Sequence, residues 1–426
     1  MCTARFRCLC STKATELRGL LGFFVLFGFA WLLSADRRGI AWRTVIGGVL
    51  LQFALALLMI GFPPAARAVL LLNHAADALQ RATDAGTGFV FGYLGGEHLP
   101  FVEAHPGAGF ILAFKALPLV LVISALASLL LYWGVLQRVM GAFAWVLRRT
   151  LGIGGALALG AAVHVFVGMI EAPLLVRPWL ARMQRGELFA LMSCGMAGIA
   201  GTVMVIYASV LGPVIPNALG NILIASVIST PAALAIAALM VPFGPGETDA
   251  VAMGGPHQAV SALDAIVKGT ADGVPVLVGI IAVLLVAVSL VTLVNFMLAW
   301  LPIAPALTLE GMLALPMRPV MWLIGVPWNE AGAAASLMAS KTVLNEFVAY
   351  LQLAGLPPEA LSPQSRLIVT YALCGFANFG SLGIMIGGLG AMVPGRRTEI
   401  VALGFRSLVS GTLATCSSGA VAGLLG

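Results

Sequence analysis

From 274 to 302 the chain runs without one charged side chain. A helix needs ~20 apolar residues to cross the hydrocarbon core of a bilayer. Comparable apolar runs occur at 18–35, 42–61, 108–136, 217–241 and 398–424. Inside hydrocarbon every backbone N–H and C=O must be satisfied within the protein, so segments of this kind are helices. Only 9% of the residues are charged and the mean hydropathy is +1.03, against about 25% charged in soluble domains. The expected fold class is therefore an all-α polytopic membrane protein, with about eight transmembrane helices, two re-entrant hairpins and interfacial helices. The basic residues 1–18, with the apolar stretch Leu20–Ser34 and small residues near Ala35, imitate a secretory signal. Asp36-Arg37-Arg38 follows at once and a new apolar run begins at Trp42, which makes this stretch a first span. The net charge of +6 bears on orientation rather than on nucleic acid, because basic loops collect on the cytoplasmic side.

Six cysteines show no metal-type spacing and no disulfide framework. Cys2, Cys8 and Cys10 lie in a basic N-terminal tail (1–17), while Cys194, Cys374 and Cys416 sit in apolar surroundings. The next block, 18–136, holds scaffold helices and an amphipathic interfacial helix over 65–82, followed by a polar, Gly-rich loop over 83–107. Residues 139–213 combine an apolar hairpin (139–185, tip near 168–173) with a helix interrupted at 195–201. Residues 217–302 are scaffold again, with a polar, partly helical loop at 244–273. Residues 304–392 repeat the earlier plan: an interfacial helix (304–317), a hairpin (320–355) and a helix over 364–392 interrupted at 378–383. A last helix covers 398–426. Paired interruptions in corresponding positions of two halves point to a secondary-transporter site near the membrane midplane, arranged as an inverted repeat. Arg37, Arg38, Arg43, Arg138, Arg148, Arg149, Arg182, Arg185, Arg396 and Arg397 fall on one side if both hairpins are re-entrant, which puts both termini outside. The basic tail residues Arg5, Arg7 and Lys13 run against that orientation.

Each hairpin carries an acid where the bilayer should be. Glu346 stands in Lys341-Thr342-Val343-Leu344-Asn345-Glu346-Phe347, and Glu171 in Val167-Gly168-Met169-Ile170-Glu171-Ala172-Pro173. A charge at bilayer depth costs about 2.5–3.5 kcal/mol on insertion scales and usually marks a substrate or ion path. A plain Glu346–Lys341 pair is the bland alternative. His74, His98, His105 and His257 fall in loop or interfacial segments and read as solvated. There is no metal-ligand cluster, phosphate-binding Gly loop or nucleophile–base pair. Glu171 and Glu346 could form an acid/base couple in an embedded enzyme, but a transporter is the expectation, and a passive channel is the third class.

Several long motifs resemble the concentrative nucleoside transporter family: Asp36–Arg43 after the first span, Glu171-Ala172-Pro173-Leu174-Leu175-Val176-Arg177-Pro178, Lys341–Tyr350, and Tyr371–Phe379. The resemblance covers nearly the whole chain. It implies a multi-pass protein of a bacterial inner membrane, a homotrimer surrounded by lipid, with an outer scaffold and an inner transport domain holding both hairpins. It implies that Glu346, Asn378 and Ser381 bind the ribose hydroxyls, and that Gly168, Met169, Ile170 and Glu171 meet the nucleobase, with Val203 packed on its face. Here the chain departs from the family, which usually has Gln and Thr or Ser where Met169 and Ile170 stand, so altered base selectivity is expected.

Sodium-coupled members resemble this chain at His164, Val167, Gly198 and Ile199, but carry an Asn at the first of these positions and a Ser or Thr at the third. With two side-chain oxygens gone, the coupling ion is expected to be a proton, carried by His164, Glu171 or Glu346. Hard cations prefer oxygen ligands, and imidazole titrates near neutrality. Sodium coupling, or transport of a related ribosyl compound, is the alternative. No cofactor beyond the coupling ion is implied.

Overall fold

The computed structural model describes residues 18–61, 63–95, 100, 111–244, 259–300 and 307–425. The N-terminal tail with its three cysteines, and His98, His105 and His257, lie outside the described residues. Among those described there is no strand. Helices α1 (Arg18–Leu32) and α2 (Trp42–Gly61) match the first two predicted spans. Helix α3 (Pro63–Phe91) runs for 29 residues, so 83–91 is helical and not the predicted loop. Two threonines there satisfy themselves along the helix: Thr83 Oγ1 donates to the Leu79 carbonyl at 2.8 Å and Thr87 Oγ1 to that of Asp84 at 3.1 Å. Proline is favoured in a first helical turn because its missing N–H would be unpaired anyway. Pro63 therefore starts a helix as readily as it ends one. The third predicted span is bent into α4 (Leu112–Lys115) and α5 (Leu119–Tyr132) at Pro118, which cannot donate to the helical ladder.

Helix α6 (Val135–Leu151) is a separate amphipathic helix that buries Met140, Leu147 and Leu151 and exposes Val139 and Trp145. This corrects the prediction of one hairpin over 139–185. Gly152, at φ 70°, ends the helix in the left-handed conformation that glycine takes without a Cβ clash. The hairpin proper is α7 (Gly155–His164), an irregular tip, α8 (Glu171–Leu175) and α9 (Arg177–Leu180). The broken helix follows as α10 (Arg185–Ala197) and α11 (Gly201–Leu211), with its gap where the sequence places it. Helix α12 (Ala218–Met240) is almost wholly buried and packs on α2 and α10.

Helix α13 (Ala262–Ala299) spans 38 residues. It takes in the end of the predicted 244–273 loop, because the Ser261 hydroxyl caps it by accepting from Asp264 N, and Lys268 pairs with Asp264 at 2.7 Å. Its partner is α5, and much of its apolar surface stays open. Helix α14 (Leu309–Leu323), capped by Thr308, extends past the predicted interfacial segment and claims the start of the predicted second hairpin. That hairpin is α15 (Ala331–Val343) and α16 (Glu346–Gly355). The second broken helix is α17 (Pro363–Leu373) and α18 (Phe379–Met392). Its gap is 374–378 rather than 378–383, because Asn378 caps α18 by accepting from Ser381 N at 2.7 Å, leaving Gly380 and Gly383 inside the helix. Helix α19 (Arg397–Leu425) closes the chain against α10, α12 and α17.

Helices α10 and α19 meet so closely that a Cβ on Gly411 would lie 2.4 Å from Met196 Cβ. Contacts also gather several basic segments at one end of the bundle. Ala35 N donates to the Met240 carbonyl, Gly244 N to Gln184 Oε1, Thr44 Oγ1 to the Leu151 carbonyl, and Arg396 Nη1 to the carbonyls of Leu180 and Met183 at 2.7 Å. The first hairpin therefore begins and ends at the same end of the molecule.

Candidate substrate site

The two hairpins and the two broken helices share one design. Each acid opens a helix: Glu171 is the first residue of α8, and Glu346 of α16. A helix N-terminus presents unpaired N–H groups and the positive end of the backbone dipole, which favours a carboxylate. Asn345 completes the turn before Glu346 by accepting from Val348 N at 2.9 Å. The second halves of the broken helices bring Val203 near the start of α11 and Ser381 near the start of α18.

These N-terminal ends border one cavity of about 1040 Å³. Val167, Gly168, Met169, Ile170, Glu171, Val203, Glu346, Asn378 and Ser381 all line it, so the expected substrate residues come together. Glu346 is buried, and both of its oxygens are engaged. Tyr207 O–H donates to Oε1 at 2.7 Å, and Asn378 Nδ2 donates to Oε2 at 3.0 Å. Because the Asn378 carbonyl oxygen caps α18, its amide orientation is set from both sides. Lys341 is not the partner of Glu346. Its ammonium donates instead to the Ala372 carbonyl and to Thr415 Oγ1.

Glu171 is exposed to the cavity, and its carboxylate lies over Gly168, where a Cβ would be 2.2 Å from Oε2. Met169 and Ile170 line the cavity but also pack away from it. Met169 Cβ lies 3.5 Å from a Cβ built on Gly195, and Ile170 Cδ1 lies 2.2 Å from one built on Gly388.

The expected ion positions sit behind the cavity wall. His164 is buried, its ring bonded to the backbone of Leu191, and its Nε2 has no hydrogen-bond partner. The Gly198 carbonyl accepts from Phe376 N at 3.2 Å, and Ile199 N donates to Ser226 Oγ at 3.2 Å. Only Val167 of this group reaches the cavity.

Tyr207 escaped the sequence reading. It stacks on Phe347 at 5.6 Å and lies 5.3 Å from Tyr350, ring to ring. The one signal for it was its place four residues after Val203, on the same helical face. Phe347 and Phe376 also line the cavity and were missed, as apolar residues in an apolar chain.

Family models match the chain in three pieces. One described as "Na+ dependent nucleoside transporter C-terminus" covers residues 221–423, its N-terminal counterpart covers 21–94, and one described as "Gate: Nucleoside recognition" covers 113–214. An uncharacterized transporter of Haemophilus influenzae is 37% identical over 421 residues, 96% of this chain and 97% of the relative. The nucleoside permease NupC of Helicobacter pylori is 33% identical, over 96% and 98% of the two chains. The chain belongs to the concentrative nucleoside transporter family. The solved structure of CNTnw in an inward-facing, substrate-bound state superposes on this transporter with a TM-score of 0.87 at 37% identity, covering 96% of this chain and 98% of that one. Members of the family are multi-pass membrane transporters and not enzymes, as the sequence led one to expect.

Proposed function

We propose that this transporter imports nucleosides against their gradient, with Glu346 reading the ribose and a proton as the coupling ion. The geometry of Glu346 carries the substrate half of the reading. An ionised carboxylate offers about four lone-pair sites on its two oxygens. Tyr207 and Asn378 each occupy one oxygen, which leaves acceptor capacity on both, the pattern a vicinal diol matches. Ser381 adds a hydroxyl one turn along. On the base side, Glu171 can accept from base N–H groups, while Met169 and Ile170 offer no hydrogen bond. Selection among bases should then be shallow, and free bases without the sugar should be rejected, since an apolar surface discriminates weakly.

Proton coupling is supported by the absence of a side-chain oxygen at both His164 and Gly198, and by the engagement of the Gly198 carbonyl with Phe376 N. The competing reading is sodium coupling, favoured by the description of the matching family models as Na+ dependent. The homotrimer in lipid, with an inner transport domain inside a scaffold, belongs to the same proposal and is checked by the native mass of the detergent-solubilised protein.

Proteoliposome uptake of radiolabelled uridine and adenosine tests the whole reading. Accumulation of intact nucleoside above the external concentration is expected in sodium-free buffer with an inward proton gradient, and a protonophore should abolish it. Uptake that needs sodium and ignores the protonophore rejects proton coupling. Equilibration without accumulation would indicate a channel, and chemical change of the nucleoside would indicate an enzyme.

A further inference from the structure

Acids begin the second half of each hairpin; bases end the first half. His164 is the last residue of α7, and Lys341 lies in the last turn of α15. Each side chain reaches the backbone of the adjacent broken helix: His164 that of Leu191 in α10, and Lys341 the Ala372 carbonyl in α17. The two junctions are therefore counterparts in the inverted repeat, yet they are filled differently. At the first, the imidazole leaves Nε2 without a partner. At the second, a complete ammonium is in place.

Lys341 is 0% exposed, and the ion pairs among the described residues are Lys268–Asp264 and Arg396–Glu399, so this buried ammonium has no carboxylate in contact. Its Nζ donates to the Ala372 carbonyl at 2.9 Å and to Thr415 Oγ1 at 3.1 Å. Both oxygens are turned toward it for identifiable reasons. In an unbroken helix the Ala372 carbonyl would accept from residue 376, but Phe376 N donates across the repeat to Gly198. The Thr415 hydroxyl spends its proton on the Thr412 carbonyl at 3.1 Å, leaving its lone pairs for the ammonium. Helices α15 and α17 both end here, so the negative ends of two backbone dipoles converge on the same point. Backbone carbonyls at half-helix C-termini are the setting in which secondary transporters hold coupling cations, and oxygen is the ligand a hard cation prefers.

We propose that the junction of α15, α17 and α19 is a cation site whose occupant is the protein's own Lys341 ammonium. The transporter then carries one resident cation in its second repeat. The exchangeable coupling ion is confined to the first repeat, at one per turnover. The resident charge also balances Glu346, five residues further on, without competing with substrate for its oxygens. The inference builds on the transport reading above, but its decisive measurement does not require transport.

Removing the ammonium should leave a site that a small free cation can fill. Lys341→Ala and Lys341→Asn are purified in detergent, and thermal stability and nucleoside binding are measured in choline, sodium, lithium and ammonium chloride at equal ionic strength. Wild type should show the same melting temperature in all four salts to within about 2 °C. The variants should melt about 5 °C or more higher in at least one small-cation salt than in choline, and their nucleoside affinity should recover at least fivefold in that salt. Variants whose stability and binding do not depend on the cation, whether near wild type or uniformly lost, overturn the proposal. So do variants that cannot be recovered folded in any of the four salts. Failure of wild type itself to bind nucleoside would instead count against the substrate reading, and would leave the stability comparison to decide the cation site.

Discussion

Tyr207→Phe isolates the hydrogen bond that joins the two repeats at the binding carboxylate. The phenol ring stays, so the packing on Phe347 and Tyr350 at 5.6 and 5.3 Å is kept, and only the 2.7 Å bond to Glu346 Oε1 is lost. A hydrogen bond to a charged group contributes ~1.5–3 kcal/mol. The cavity beside Glu346 can supply water to the freed oxygen, so the net loss should fall at or just below the lower end of that range, about 1–2 kcal/mol. At 1.4 kcal/mol per tenfold change, nucleoside affinity should weaken roughly 5- to 30-fold. Isothermal titration calorimetry on the purified protein measures this directly. A cycle with Glu346→Gln assigns it, because in that background the tyrosine substitution should cost much less. Binding within twofold of wild type, or equal losses in the two backgrounds, would refute the view that Tyr207 orients the carboxylate.

Glu346→Gln alone should lower nucleoside uptake tenfold or more while membrane insertion and thermal stability persist, as checked by proteoliposome transport beside a melting curve. Gly168→Ala would set a Cβ 2.2 Å from Glu171 Oε2; the neighbour is the tip of a flexible side chain, so stability should change by less than ~0.5 kcal/mol while competition among nucleobases shifts. Gly411→Ala would press on Met196 Cβ at 2.4 Å and on its backbone carbon at 2.9 Å, where neither can swing away. Overpacking of that kind costs about 1–3 kcal/mol, so the variant should melt several degrees lower.

Much of the fold was legible because hydrocarbon imposes a simple rule. Apolar length alone placed α2 at 42–61 and α12 within a residue or two of 217–241. The two acids in apolar hairpins, Glu171 and Glu346, stood out because charge is rare in such a chain. Where side chains could satisfy themselves locally, polarity misled. Thr83 and Thr87 carried α3 through a stretch that reads as loop, and Asn378 turned from the first residue of the predicted break into the cap that ends the observed one.

Pairing was decided only by the tertiary structure. Spacing alone left open a Lys341–Glu346 ion pair as the bland alternative. In the fold, Lys341 turns to a carbonyl freed by the interruption of α17 and to a hydroxyl of α19, and Glu346 turns to a tyrosine 139 residues away in sequence. Periodicity along one helix reports which residues share a face. It carries no record of which carbonyl a distant break has left without its own N–H, and that orphaned group is what determines where a buried cation comes to rest.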